Sequence, residues 1–325
     1  MNIVIFKNSY VPALKYGGTE RVVYYLALEL QKLGHNVTLL VRGLTQKSEV
    51  NCITYDENLP LAQQLPQGTE IVHLHEGVSE ELPCPYVITM HGNLKDQRPL
   101  DKNTIFVSKN HAERFGSSSF VLNGLDWSDY SAIDWRRKRD AYHFLGKAAW
   151  RIKNVKGAID IAVAAKEKMN IIGGYRFNFK MGVRFTLTPQ ASFYGMVGGV
   201  EKDQLLNGSK GLIFPILWNE PFGLAVTESL YFGAPVFATP YGSLSELVDP
   251  QVGFLSTCKQ DLINAVKSNT FDPEVCHEYA NDLFNSKIMA LEYLKKYERV
   301  LNGHVLNEEE PFLQEVQSTK YLPFT

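Results

Sequence analysis

The chain opens with a short apolar run, a polar loop and then a helical pattern. "NIVIF" is rich in branched apolar residues, which is typical of a strand buried on both faces. In "ERVVYYLALELQKLG" the apolar residues Val22, Leu26 and Leu30 recur at helical spacing, and Gly34 marks the predicted helix end. "HNVTLLV" is the next predicted strand, so this order predicts a parallel sheet.

Further short apolar runs follow in the first half: "EIVHLH", "PYVITMHG", "NTIFVS" and "SFVLNG". Each run ends in small or polar residues and predicts a strand. The residues placed at the carboxyl ends of these strands are Glu76, His91, Ser108 and Asn123. Open α/β sheets bind their ligands at that edge, so we expect ligand-binding side chains here.

A second α/β series follows the polar, irregular segment "NGLDWSDYSAIDWRRKRD". Runs such as "AYHFLGK", "MNIIGGY" and "KGLIFPI" predict strands, and "NVKGAIDIAVAAKEK" predicts a helix. We therefore expect two doubly wound domains, residues 1–130 and 131–303, facing each other across a cleft. Residues 304–325 form a tail that either packs on the first domain or is partly disordered.

Composition limits the classes of function. The chain has 325 residues, 45% hydrophobic and 21% charged, with a net charge of -2, so we expect no nucleic-acid partner. Its four cysteines are far apart and form no CxxC pair, which favours a reducing cytoplasm over a disulfide framework. No apolar run approaches the roughly 20 residues that span a bilayer, so we expect a soluble cytoplasmic protein.

The stretch "WNEPFGLAVTESLYFGAPV" places Glu220 just before a predicted helix and Glu228 inside it. Pro221 and Gly223 mark the helix start, where unpaired N–H groups and the helix dipole attract an anion. A buried Glu228 would accept hydrogen bonds from paired hydroxyls such as a ribose diol. The pattern fits a nucleotide sugar, but it also fits a strand-turn-helix unit with solvated glutamates.

Three lysines lie in "LGKAAWRIKNVKGAIDIA": Lys147, Lys153 and Lys156. Cations at a helix start oppose its dipole, so they are favoured there only if an anion binds between them. Ordinary surface lysines are the alternative, and it is stronger for Lys156 than for Lys147. The chain contains no D-x-D, so we expect no metal-bridged diphosphate and no metal cofactor.

The first half of the chain contains candidate ligand-binding residues with weaker sequence signals. In "YGGTE", Gly17 and Gly18 allow a close approach of the backbone to phosphate, and Thr19 is the predicted helix cap. The missing GxGxxG pattern argues against a nicotinamide dehydrogenase. His91 ends a predicted strand and would face the cleft, although a lone histidine is more often structural.

Two further histidines, His73 and His75 in "VHLHEG", alternate along a predicted strand. We expect them on opposite faces of that strand. A metal ion shared between them is therefore not predicted.

The motifs together resemble those of the family-4 retaining glycosyltransferases, which have the two-domain GT-B fold. "EPFGLAVTE" is similar to the E-x7-E signature of that family. The resemblance extends over about residues 1 to 301 and includes "YGGTERVV", "VSKNHAERF", "VLNGLD", "FYGMVGG", "GSLSELV" and "GFL". It implies an acceptor-side first domain and a donor-side second domain.

The resemblance also implies residue roles. Glu220 and His91 would contact the donor sugar, and Glu228 would hold the ribose hydroxyls. Lys147 and Lys153 would form the basic pair at the diphosphate, with Lys156 as the alternative to Lys153 and with Lys147 in place of the family's arginine. The other implied donor-binding residues are Gly18, Thr19, Val197, Phe222, Gly223 and Leu224.

The implied reaction is metal-independent transfer of a sugar from a UDP or GDP type donor to an acceptor hydroxyl, with retained anomeric configuration. The acceptor would be a sugar, a lipid-linked molecule or a small molecule in bacterial glycan, lipopolysaccharide or glycoconjugate synthesis. Peripheral membrane contact is compatible with this interpretation, and the oligomeric state is left open. Two alternatives remain: a nucleotide-sugar epimerase and a non-catalytic sugar-nucleotide-binding protein.

Overall fold

The structure is a computed structural model and describes residues 1–13, 17–77, 79–179, 181 and 183–325. The chain divides into two compact units. The first unit comprises Met1–Trp127 and Phe284–Gln317, and the second comprises Ser128–Leu283 and Ser318–Thr325. The passage after Trp127 lies close to the predicted boundary, but the chain also returns to the first unit at Phe284.

The first unit contains a six-stranded sheet in the order β3-β2-β1-β4-β5-β6, with every neighbouring pair parallel. Its strands are β1 (Asn2–Val11), β2 (Asn36–Leu44), β3 (Asn51–Thr54), β4 (Ile71–Leu74), β5 (Tyr86–Met90) and β6 (Thr104–Phe106). The predicted strand "SFVLNG" is reduced to one isolated bridge, at Phe120, so that prediction was wrong. These residues instead connect the sheet to the second unit.

The second unit repeats the arrangement with the order β11-β8-β7-β12-β13-β14, again all parallel. Its strands are β7 (Ala141–Leu145), β8 (Met169–Ile172), β11 (Ala191–Phe193), β12 (Ser209–Phe214), β13 (Val236–Ala238) and β14 (Gly253–Leu255). A small antiparallel hairpin, β9 (Phe177–Asn178) with β10 (Arg184–Phe185), lies between β8 and β11. Both sheets have the doubly wound order 3-2-1-4-5-6, which confirms the predicted fold class.

The helices connect the strands and cover the sheets. Their bounds are α1 (Gly18–Lys32), α2 (Lys109–Glu113), α3 (Val155–Ala164), α4 (Gly199–Asn207), α5 (Leu224–Tyr231), α6 (Leu244–Leu247), α7 (Lys259–Lys267), α8 (Pro273–Leu283) and α9 (Ser286–Leu301). In the part of the chain that the structure describes, no helix combines the length and the hydropathy needed to cross a bilayer.

Helix α9 belongs to the first unit, whereas the predicted boundaries place it in the second domain. It packs on α1 and β5 through an apolar stripe that includes Met289, Tyr293 and Tyr297. The following segment, up to Gln317, stays on the first unit, where Leu313 packs with Phe106 and Phe115. The last residues, 318–325, belong to the second unit. The stripe's spacing predicts a helix with one buried face but does not identify the surface that covers it.

Each sheet has a point where the strand order reverses, between β1 and β4 in the first unit and between β7 and β12 in the second. At such a point the loops after the two strands diverge, and a crevice opens at their carboxyl ends. Lys147, Lys153 and Glu220 lie in those loops of the second unit.

Candidate functional site

Glu220 lies in the loop between β12 and α5, and its backbone is held by the segment that precedes α6. The Ser243 amide donates a hydrogen bond to the Glu220 carbonyl at 2.9 Å. Gly242 has φ +65, and a Cβ there would lie 2.3 Å from the Glu220 nitrogen and oxygen. Only glycine fits such a close approach, which explains why "GSLSELV" matters to the position of Glu220.

The Glu220 carboxylate is buried, with 8% of the residue exposed. Its Oε2 accepts hydrogen bonds from Lys153 Nζ and from Trp218 Nε1, the latter at 2.9 Å. The Lys153 ammonium also lies 5.0 Å from the Trp218 ring centroid and 5.2 Å from that of Phe214. Two aromatic rings therefore surround the ion pair and exclude water from it.

The loops that carry this pair are bonded to each other. Lys153 ends a 3₁₀ turn, and Asn154 follows in the left-handed region at φ 52. The Asn154 side chain accepts from the Gly157 amide at 3.0 Å and donates to the Pro215 carbonyl at 2.9 Å. The loop after β7 and the loop after β12 thus hold Lys153 and Glu220 together at the second sheet's switch point.

The other two candidate lysines differ in setting. Lys147 is half-buried after the end of β7, with Nζ 5.3 Å from the Trp150 ring centroid. The Lys156 side chain is 80% exposed and lies 3.2 Å from Asp160 one helical turn away. Of the two alternatives, the geometry brings Lys153, and not Lys156, to Glu220.

Helix α5 begins at Leu224, directly after Gly223, which has φ +102. Gly223 supplies no side-chain cap at this end, and the Val226 amide bonds the Gly223 carbonyl at 2.9 Å, so the N–H groups of Gly223, Leu224 and Ala225 are the candidates for binding an anion. The preceding residue, Phe222, is buried, and its carbonyl accepts a hydrogen bond from the Ser243 hydroxyl. A helix start of this kind is suited to bind an anion, as the sequence predicts.

Glu228 lies inside α5 and is only 2% exposed. Its Oε1 accepts hydrogen bonds from the Tyr130 hydroxyl at 2.8 Å and from Lys202 Nζ. Lys202 lies on α4, is 6% exposed, and has Nζ 4.9 Å from the Tyr130 ring centroid. The carboxylate expected to hold a ribose is therefore part of a buried ion pair.

Lys202 is a residue that sequence reasoning missed. The buried positions of α4 are Lys202, Asp203, Leu206 and Asn207, which share one helical face. The spacing of Lys202 and Leu206 could have marked this lysine as inward-facing. Val197, another candidate, lies half-buried in the loop before α4.

In the first unit, the glycine motif starts α1. Gly18 is the first residue of the helix, and Gly17 precedes it with φ +150. Thr19 lies inside the first turn, so the prediction that Thr19 caps the helix was wrong. A Cβ on Gly17 would lie 2.4 Å from the Ala13 Cβ, and this crowding selects glycine at the cap. Tyr16 of the motif lies outside the described residues.

His91 follows β5, is half-buried, and lies beside the buried histidines His73 and His75. Its Nε2 lies 2.8 Å from His75 Nδ1, and the ring centroids of His75 and His73 are 4.0 Å apart. The prediction that His73 and His75 face opposite ways was wrong, because residues i and i+2 of a strand share a face. His73 in turn bonds the Tyr297 hydroxyl and Thr89 Oγ1, each at 2.7 Å.

These histidines are neutral hydrogen-bonding groups. Burial, with a smaller effect from the Lys7 ammonium, lowers the pKa of His91 to about 3. Burial also lowers the pKa values of His73 and His75 well below the usual value. Among the described residues no group of three or more histidine, cysteine or acidic side chains could hold a metal ion.

The pattern of hydrogen bonds favours one tautomer. His75 Nε2 is buried and has no partner among the described residues. A buried N–H without an acceptor is rarer and more costly than a lone pair without a donor. We therefore infer that His75 Nδ1 donates to His91 Nε2, which leaves the Nδ1–H of His91 as a donor.

The comparisons with known proteins agree with this fold. Residues 135–282 match the family "Glycosyl transferases group 1", and no protein of curated function matches the chain. AviGT4, a glycosyltransferase involved in avilamycin A biosynthesis, is similar in structure, with a TM-score of 0.76 and 21% identity over 93% of this chain and 99% of that chain.

Two further structures are similar at lower identity. Sucrose-phosphate synthase from Thermosynechococcus elongatus has a TM-score of 0.65 and 16% identity over 93% of this chain and 99% of its own. Anabaena Alr3699/HepE, solved in complex with UDP and glucose, has a TM-score of 0.63 and 15% identity over 92% of this chain and 99% of its own. The chain therefore has the GT-B glycosyltransferase fold, and its second unit carries the group 1 match.

Proposed function

We propose that the protein is a retaining glycosyltransferase that transfers a sugar from a nucleoside diphosphate donor, of the UDP or GDP type, to an acceptor hydroxyl. The observation that carries this proposal is the buried Glu220–Lys153 pair beside the start of α5. It lies at the switch point of the second sheet, within the segment that matches the group 1 family. Neither feature is needed to hold a doubly wound sheet together.

The diphosphate would be bound by Lys153, Lys147 and the N–H groups that start α5 at Gly223 and Leu224. An ammonium group has three donors, so Lys153 can serve both the Glu220 carboxylate and a phosphate oxygen. Negative charge develops on the departing diphosphate in the transition state, and prepositioned cations and amides stabilise it there. Lys147 supplies a point charge in place of the planar arginine of the family.

The donor sugar would be oriented by Glu220, whose backbone and carboxylate are both fixed. His91 would donate a hydrogen bond to the same sugar through Nδ1. Such positioning lowers the entropic cost of reaching the transition state. The bond from the anomeric carbon to the diphosphate breaks, the bond to the acceptor oxygen forms on the same face, and the acceptor proton passes to the diphosphate.

The nucleoside would lie against the loop and helix that precede Glu228. Glu228 would accept hydrogen bonds from the ribose hydroxyls, with Lys202 and Tyr130 keeping its carboxylate oriented. An ionised carboxylate has about four acceptor sites, so ribose and the existing partners can be bound together. Further donor contacts are proposed for Gly18, Thr19, Val197, Phe222 and Lys156.

The acceptor is proposed to be a sugar, a lipid-linked molecule or a small molecule of bacterial glycan or glycoconjugate synthesis in the cytoplasm. The reaction needs no metal in this proposal, because lysine and helix N–H groups balance the diphosphate charge. HepE, which is similar in structure, was solved with UDP-glucose, and this supports a uridine donor among the candidates.

Incubation with labelled UDP- and GDP-sugars and an acceptor panel tests the proposal. Linked product with the donor's anomeric configuration supports it, as read by NMR of the product. Isomerised donor would instead identify an epimerase, and bound but unchanged donor would identify a non-catalytic binding protein. Inverted product would contradict the retaining mechanism.

A further inference from the structure

The hairpin β9–β10 in the second unit has an inverted pattern of exposure. Every odd-numbered position from 175 to 187 carries a large apolar side chain, and these are 51% to 82% exposed. They are Tyr175, Phe177, Phe179, Met181, Val183, Phe185 and Leu187. A hairpin on a protein surface normally places its polar side outward, so this outward face needs another explanation.

The inner side of the hairpin is polar and fixed. Arg176 donates to the carbonyls of Thr186 and Thr188 at 2.9 and 3.0 Å, and Arg184 donates to Thr186 Oγ1 at 2.8 Å. Both guanidinium groups also lie over the Phe193 ring, at 5.5 and 5.3 Å from its centroid. These contacts hold the apolar face outward, and because the oxygens are neutral they do not cancel the arginine charge.

The charge around the hairpin is positive. The sequence from residue 168 to 200 contains no aspartate or glutamate, but it contains Lys168, Arg176, Lys180 and Arg184. Beside the hairpin is a cavity of about 380 Å³ whose charged lining residues are Arg151, Lys156 and Arg184. Among the described residues no acidic side chain lines this cavity.

We propose that this hairpin face docks on the surface of an anionic phospholipid bilayer. Aromatic and aliphatic side chains would enter the boundary of headgroups and acyl chains, while the basic groups contact lipid phosphates. A second copy of the chain is a poorer occupant, because two such basic hairpins would repel each other when stacked. A membrane supplies both the apolar layer and the opposite charge.

The position of the hairpin relates membrane docking to the proposed sugar transfer. It follows the carboxyl end of β8, which is the sheet edge that carries the loops of Lys153 and Glu220. A bilayer on this face would favour a lipid-linked acceptor. That last step rests on the proposed function, whereas the docking itself does not.

Vesicle co-sedimentation without donor or acceptor tests the docking alone. Wild-type protein should bind vesicles of phosphatidylcholine mixed with phosphatidylglycerol, bind pure phosphatidylcholine much more weakly, and lose binding as salt rises. The triple variant Phe177→Ser/Phe179→Ser/Phe185→Ser should bind the mixed vesicles at least about tenfold more weakly. The control Leu59→Ser/Leu283→Ser/Val316→Ser changes side chains that are 44% to 49% exposed elsewhere and should bind as wild type.

A single variant tests docking in case the triple variant fails to fold. Leu187 is 82% exposed, so Leu187→Asp should leave the far-ultraviolet spectrum unchanged and still weaken binding, whereas Leu59→Asp should not. Wild-type protein that binds neither vesicle, or hairpin variants that bind as wild type, would overturn the proposal. So would a wild-type dimer that the hairpin variants convert to a monomer, since the face would then join two copies. A transferase that fails to bind vesicles refutes only the docking.

Discussion

The two sheets have the same strand order but different chemistry in the loops that follow their central strands. In the second unit the loops after β7 and β12 hold a buried pair of opposite charges, Lys153 with Glu220. In the first unit the loops after β4 and β5 hold neutral imidazoles, as in His75 with His91. The doubly wound fold thus determines where a site forms, whereas the side chains determine its chemistry.

Because one unit holds a buried ion pair and the other holds neutral histidines, the two units should respond differently to substitution and to pH. A buried ion pair depends on both partners, because loss of one leaves the other charge in a medium that cannot solvate it. A buried neutral histidine depends on pH, because protonation requires it to leave its site. The ion pairs should therefore respond most strongly to substitution, and the histidines to pH.

Removal of Lys202 should destabilise the second unit most. Lys202→Met leaves the Glu228 carboxylate buried with the Tyr130 hydroxyl, and we expect a loss of about 3–5 kcal/mol in the free energy of unfolding. Urea unfolding followed by circular dichroism measures this loss. The double variant Lys202→Met/Glu228→Leu removes both charges and should recover much of it. Single and double variants of equal stability would refute the idea of a dependent pair.

Glu220→Gln should act on the reaction and not on nucleotide binding. Loss of the charge that orients the donor sugar should lower kcat by about 10²- to 10³-fold. The affinity for nucleoside diphosphate, measured by calorimetry, should stay close to that of wild type. Glu201→Gln, on the exposed side of α4, is the matched control. Wild-type turnover in Glu220→Gln would remove Glu220 from the proposed mechanism.

Acidification should destabilise the first unit through its histidines. The pKa values of His91 and His111 are lowered to about 3, and those of His73 and His75 are lowered well below the usual value. The unfolded chain takes up these protons near pH 6.5, so the contribution is complete above that pH and is lost as pH falls towards 3.

Each such histidine should contribute a slope of about 1.4 kcal/mol per pH unit across the middle of that range. Urea unfolding of wild type and of His91→Gln at several pH values gives the two slopes. The variant should have the shallower dependence, by about one proton. An unchanged slope would show that His91 is protonated in the folded protein.

The smallest effect is expected for Lys156. Its exposed contact with Asp160 should contribute less than about 0.5 kcal/mol to folding. Lys156→Ala should therefore leave stability nearly unchanged and weaken diphosphate binding far less than Lys153→Ala. Calorimetric titration with the same nucleotide compares the two variants. Equal losses of affinity in the two variants would contradict the assignment of Lys153, in preference to Lys156, to the diphosphate.

The sequence predicted the sheets well because buried parallel strands are continuous apolar runs, as in "NIVIF" and "KGLIFPI". It also placed Glu220 and Lys153 after strands β12 and β7, although not in contact. It did not predict the Lys202–Glu228 pair, the hairpin or the unit to which α9 belongs. These depend on partners distant in the chain, and local periodicity does not report them.

The errors over His73, His75 and Thr19 have other causes. Strand geometry puts residues i and i+2 on one face, so the histidine pair was predictable from period alone. Crowding by Ala13 selects glycine at position 17, the residue that caps α1, and a threonine-cap preference does not anticipate this.

A crystal structure with a bound nucleoside diphosphate sugar tests the central claim most directly. The sugar nucleotide that gives the largest thermal shift is the one to soak. We predict its diphosphate within hydrogen-bond distance of Lys153 Nζ and of the amides at Gly223 and Leu224, with Glu220 against the sugar. A donor bound away from Gly223, with Lys153 and Glu220 still paired only to each other, would contradict the account.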